Sequence, residues 1–69
     1  MPLSMAKLGQ RSKIVRITGR DEVRQHLSEL GFNIGGEVTV ISDMGGNMIL
    51  SVKDTRIALD KSMANRIMI

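Results

Sequence analysis

The run Leu27-Ser28-Glu29-Leu30-Gly31-Phe32-Asn33-Ile34-Gly35 constrains this chain more than any other segment. Val23, Leu27 and Leu30 stand at i, i+4 and i+7, one apolar stripe on an α-helix. Gly31 follows where a helix ends on a left-handed residue, because glycine has no Cβ to clash there. Phe32 then occupies the position that folds back on the third residue from the helix end, here Leu27. The run therefore predicts one short helix with a firm stop, set in a chain that elsewhere alternates like β-sheet.

With 69 residues, the chain is expected to form one domain. A domain of this size buries only roughly 60% of its unfolded surface, so the core must be thin. There are no cysteines to staple it, which suits a reducing compartment. Met1-Pro2-Leu3-Ser4 has neither the basic start nor the apolar run of a signal peptide. No apolar stretch approaches the roughly 18 residues of a membrane span. A cytoplasmic location is expected. Six methionines and a single aromatic, Phe32, imply an aliphatic, adaptable core.

The net charge of +3 is unevenly placed. Lys7, Arg11, Lys13, Arg16, Arg20 and Arg24 outnumber Asp21, Glu22 and Glu29 in residues 1–30, while residues 31–69 balance. Either an anionic partner or an ordinary solvated surface accounts for such an excess.

Along the chain, Leu3 to Leu8 reads as a turn that tucks both leucines under the body, closed by Gly9. Lys13–Thr18 reads as a strand with Val15 and Ile17 inward and Arg16 outward. Asp21 is placed as N-cap of a helix over 22–30, with Thr18-x-x-Asp21 as a capping-box alternative. Gly35-Gly36 turns into the strand Glu37–Ser42, with Val38 and Val40 on one face. Asp43–Asn47 reads as a hairpin loop, Met48–Val52 as the returning strand, and Lys53-Asp54 as a second tight turn. Thr55–Leu59 follows with Ile57 and Leu59 inward. Asp60 caps one helical turn, 61–65, and Arg66–Ile69 ends the chain as a strand. The pattern is mainly β: about five short strands, one helix after the first strand and a one-turn helix before the last. A sheet of this kind closes on itself to protect its edges, and an SH3-like barrel fits best, ahead of an OB-fold.

No enzymatic constellation is present. There is no cysteine nucleophile, His26 is the only histidine, and Ser28 and Ser51 have no evident base. Gly45-Gly46 lacks the Lys-Ser/Thr of a phosphate loop. Glu22, His26 and Glu29, at i, i+4 and i+7, combine carboxylate oxygen with imidazole nitrogen and suit a divalent ion such as Fe²⁺. The same spacing also describes a solvated helix face. Arg16, Arg20 and Arg24 cluster where the first strand leads into the helix. Without Trp or Tyr, that patch lacks the stacking platforms of single-strand readers, so an acidic protein surface suits it better than nucleic acid. Met44, in the Asp43–Asn47 loop, offers a soft apolar docking contact, or simply a solvated tip.

Leu3-Ser4-x-x-x-Leu8-Gly9, Ile14-Val15-Arg16-Ile17, Arg24-x-x-Leu27-x-x-Leu30-Gly31-Phe32-x-x-Gly35, Ile57-Ala58-Leu59 and Ala64-x-x-Ile67 resemble, in this order, the FeoA family of small bacterial proteins. The resemblance spans essentially the whole chain. It implies an SH3-like barrel that acts in ferrous iron uptake without enzymatic activity or a required cofactor. It implies as partner FeoB, a membrane transporter with a cytoplasmic GTP-binding domain, scaffolded or regulated by protein contact; the charge and loop chemistry of the sequence itself propose Arg16, Arg20, Arg24 and Met44 as the contacts. A similar barrel ends iron-dependent repressors, which leaves a metal-linked sensor or nucleic-acid-binding regulatory module as the alternative. In those repressors a carboxylate and an amide just after the first strand contribute to a metal site. Here Gly19 and Arg20 stand near that place, so the ligand set does not transfer. A repressor-type sensor also needs a DNA-binding domain upstream, and a chain opening at Met1 is expected to lack one.

Overall fold

A computed structural model describes all residues, 1–69. Six strands and two helices follow a 3-10 turn at Leu3–Met5: β1 (Arg11–Lys13), β2 (Arg16–Ile17), α1 (Asp21–Leu30), β3 (Glu37–Met44), β4 (Asn47–Val52), β5 (Thr55–Asp60), α2 (Lys61–Ala64) and β6 (Ile67–Met68). Four strands form one antiparallel sheet in the order β1-β3-β4-β5, and β2 pairs with β6 in a second. Together they make the small SH3-like barrel expected from the alternation.

The expected first strand divides in two, and its inward face moves by one residue. Ile14, not Val15, is fully buried, and Val15 is 60% exposed. The hydrogen bonds show why. The Ile14 N–H donates to the Gly36 carbonyl (2.8 Å) and the Ile14 carbonyl accepts from Gly35 N–H (2.7 Å), so Ile14 still belongs to the β1–β3 side. One residue later, the Val15 N–H donates to the Met68 carbonyl (2.9 Å) on the β6 side. The chain changes sheets between them, and this corner makes a barrel from a flat pattern.

Helix α1 ends as its sequence dictates. Gly31 takes φ of 109°, and the N–H groups of Gly31 and Phe32 donate to the carbonyls of Ser28 and Leu27, each at 3.0 Å. This double closure is a Schellman motif, and it seats Phe32 in the core beside the stripe led by Leu27. Both side chains are fully buried. Burying each contributes on the order of 1.5–3 kcal/mol. At the other end the expectation changes. Asp21 is the first helical residue, Arg20 holds the N-cap position, and no side chain caps the helix there. Asp21 instead uses its carboxylate on Arg24, leaving its charge to act on the exposed N–H groups of the first turn.

The β3–β4 hairpin is tighter than the five-residue loop expected. Met44 pairs with Asn47 across Gly45-Gly46, and a bulge between Val40 and Ser42 turns Ile41 outward. At β5, Asp60 does cap the next helix: its Oδ1 accepts from Met63 N–H (2.9 Å) and from the Ser62 hydroxyl (2.8 Å). These bonds, the backbone one foremost, hold the Asp60 carboxyl below the ordinary carboxylate range. Leu3, Ile14, Leu27, Phe32, Val38, Val40, Met48, Leu50, Val52, Leu59, Ala64 and Ile67 form one core with no buried polar side chain. Leu8, expected beneath the body with Leu3, is 65% exposed. The 3-10 turn brings only Leu3 inward.

Candidate functional site

The β2–α1 junction gathers positive charge because the fold brings a distant residue to it. Arg16 lies on β2 opposite Met68, and Ile17 opposite Ile67. The pairing continues one step: Thr18 N–H donates to the Arg66 carbonyl at 2.7 Å, and its hydroxyl reaches the same oxygen at 3.3 Å. Gly19 follows with φ of 114°, a conformation that side chains rarely adopt. A Cβ placed on Gly19 would meet Arg66 Cδ at 3.5 Å and Val23 Cγ1 at 3.6 Å. The aliphatic stem of Arg66 thus lies across Gly19, and Arg20 stands next to it.

Arg16, Arg20 and Arg66 are all exposed. The ion pairs of the molecule are Arg11–Glu37 (3.3 Å), Arg24–Asp21 and Lys61–Asp43 (3.1 Å), so none of the three arginines is neutralised. Arg24 differs. Its guanidinium is bound to Asp21 one helical turn earlier, which fixes it on the helix flank. There it lines an open groove of about 290 Å³ between α1 and the loop that follows. Ile17, Phe32 and Ile34 provide its apolar lining, and Asp21, Arg24, Ser28 and Asn33 its polar side. The Ser28 hydroxyl donates to Asn33 Oδ1 (2.9 Å), tying the helix end to that loop. Ile34 projects from it at 70% exposure. An apolar strip with charged margins is the composition of a protein-recognition surface.

The remaining candidates lie elsewhere. Met44 is 70% exposed at the β3–β4 turn. That turn is held at the start of α2 by Lys61–Asp43 and by Lys61 N–H donating to the Gly46 carbonyl (2.9 Å). Arg66 lies just beyond the other end of α2. Glu22, His26 and Glu29 are exposed on α1. They do not make a ligand set, and no three His, Asp or Glu side chains in the molecule converge as one. The reason is geometric: residues seven apart are displaced by about 10 Å along a helix axis, whereas bonds to one divalent ion are only about 2 Å long.

Two parts of this surface were missed from sequence. Arg66 is 50 residues from Arg16 and joins the patch only through β2–β6 pairing. The groove needs the loop residues Asn33 and Ile34, whose only signal was an aliphatic side chain stranded between two glycine turns.

The FeoA domain family matches the chain over residues 1–69. A relative in Methanocaldococcus jannaschii, named "Putative Fe(2+) transport protein A", is 34% identical over 99% of this chain and 83% of its own length. The crystal structure of an iron uptake regulatory protein, FeoA, is 35% identical, with a TM-score of 0.88 over 96% of this chain and 88% of that one. The FeoA of Stenotrophomonas maltophilia, solved with zinc and described as a prokaryotic SH3 domain protein, is 30% identical, with a TM-score of 0.87 over 99% of this chain and 87% of that one. Family match, sequence identity and barrel agree across the full described length, and the chain belongs to the FeoA family.

Proposed function

We propose that this chain is a non-catalytic accessory protein of ferrous iron transport, acting in the cytoplasm by docking on the cytoplasmic portion of a FeoB-like membrane transporter. Family membership supports the transport role. One observation supports the docking surface: three unneutralised arginines, Arg16, Arg20 and Arg66, stand at the β2–α1 junction, while Arg24 lines an apolar groove on the same helix. The arginines steer an acidic partner, and the groove takes an apolar side chain from it. Met44 is a second, separate contact. Iron is cargo of the partnership, and no resident cofactor is required. No helix here is long and apolar enough to cross a membrane. The regulatory-module reading, with nucleic acid as ligand, is less well supported, because the one aromatic side chain, Phe32, is buried in the core and offers no stacking platform.

The test is calorimetric binding to the transporter's cytoplasmic portion at low and moderate salt, with and without ferrous iron. Reversing Arg16→Glu together with Arg20→Glu should weaken binding about tenfold, ~1.4 kcal/mol, with the larger loss at low salt. Arg24 is left intact because it is already paired with Asp21. Circular dichroism checks the fold. Unchanged affinity at both salt levels would move docking to the Met44 hairpin.

A further inference from the structure

Strand β5 is the outer strand of the four-stranded sheet and pairs only with β4. Its hydrogen-bond phase follows from the turn that precedes it. Lys53 and Asp54 both have positive φ, 51° and 61°, as a two-residue type I′ hairpin turn requires. In such a hairpin the flanking residues, Val52 and Thr55, exchange hydrogen bonds, and bonded pairs then alternate. The register Val52–Thr55, Leu50–Ile57 and Met48–Leu59 therefore commits the backbone of Thr55, Ile57 and Leu59 to β4. The N–H and C=O groups of Arg56 and Ala58 face away from the sheet. Neither residue takes part in any backbone hydrogen bond outside the strands and helices.

This edge lacks a proline, a bulge and a run of like charge: its register with β4 is unbroken over six residues, and its charges are of opposite sign. Arg56 has no ion-pair partner within the chain. Asp60 uses only Oδ1 to cap α2, so Oδ2 is without a partner. Arg56, Ala58 and Asp60 share the exposed face of the strand, while Ile57 and Leu59 face the core, Ile57 only half-buried.

We propose that β5 pairs antiparallel with β5 of a second copy of this chain, about a two-fold axis at Ala58, joining two barrels through one continuous sheet. In that register Ala58 of each copy exchanges hydrogen bonds with Ala58 of the other. Arg56 faces Asp60 of the second copy at both ends, and Ile57 lies opposite Leu59 on the core side. The pairing is thus self-complementary in backbone, charge and apolar contact, as a two-fold interface demands. Centring the pair on Arg56 or on Asp60 would instead oppose like charges. A small side chain at the axis lets the two strands approach.

Sedimentation equilibrium of the whole chain from micromolar to millimolar concentration should show a monomer–dimer equilibrium. Ala58→Pro removes the central N–H donor at an edge position that tolerates proline, and should leave a folded monomer by circular dichroism. Arg56→Asp places like charges opposite Asp60 and should weaken the dimer about tenfold. Single cysteines give a geometric check in a chain that has none of its own. Residue 58 faces itself at about 5.5 Å between Cα atoms, within disulfide range, so Ala58→Cys should oxidise rapidly to a covalent dimer. Arg56→Cys faces residue 60, about 13 Å of strand from its own copy, and should not. A monomer throughout the range overturns the pairing and leaves the edge to another protein's strand. So does a dimer indifferent to Ala58→Pro and Arg56→Asp, or equal cross-linking of the two cysteine variants.

Discussion

Ile14 and Val15 are adjacent, both β-branched and both suited to strands, yet they have opposite fates. Ile14 is fully buried between the β1 and β2 segments, and Val15 is 60% exposed. Ile14→Ala should destabilise the fold by ~2–5 kcal/mol, the range for a large aliphatic side chain removed from a core. Val15→Ala should stay within about 0.5 kcal/mol, as surface substitutions do. Urea melts of the two variants check the corner directly, since the simple alternation of a single strand would reverse the order. Arg66 shows residue-scale context of another kind. Its charge is ordinary, but its stem lies over Gly19, where a Cβ would sit 3.5 Å from it. Its position in the patch depends on that bare backbone.

Among the elements, α1 and α2 use different devices at their ends. α1 has no side-chain N-cap and a firm C-terminal closure at Gly31. α2 has four residues and depends on the Asp60 cap. That cap makes its contribution pH-dependent. The carboxyl is held below its ordinary range by hydrogen bonds from Met63 N–H and the Ser62 hydroxyl. With the folded value below the unfolded one, the added stability is full above about pH 4 and is lost as pH falls through the folded value. Asp60→Asn keeps a capping oxygen but cannot titrate. Thermal melts between about pH 2 and 7 should show a shallower acid decline for Asp60→Asn than for the parent. Parallel declines would remove Asp60 from the acid response.

At the scale of the whole molecule, the chain ends close the barrel. The Met1 amino group donates to the Ile69 carbonyl (2.9 Å), Ile69 N–H donates to the Met1 carbonyl (2.8 Å), and Pro2 bridges to Met68. β6 is the sole partner of β2, and Ile67 is fully buried. A two-stranded pair is marginal alone, so this sheet persists only by packing on the other. Deleting residues 67–69 should cost at least the ~2–5 kcal/mol of a buried isoleucine. A domain of this length has only roughly 3–10 kcal/mol to lose. The truncated chain should therefore lose its cooperative urea transition and its amide chemical-shift dispersion. A cooperative melt at the parent's midpoint would show that β6 is dispensable.

Local chemistry made much of this legible from sequence. Gly31 after an amphipathic stripe ends α1, Phe32 folds back on it, Asp60 caps α2, and alternation orders β3, β4 and β5. Each of these depends on neighbours within a few residues, where backbone sterics and capping act. The order of core aliphatics and turn glycines carried the family resemblance for the same reason. Tertiary structure alone decided which residue of the Ile14-Val15 pair turns inward, because two sheets compete for hydrogen bonds there. It also set the stem of Arg66 over Gly19 and opened the groove at Ile34 between α1 and Ile17. Those outcomes depend on partners tens of residues away or on distances in space, which a linear pattern of residue types does not encode.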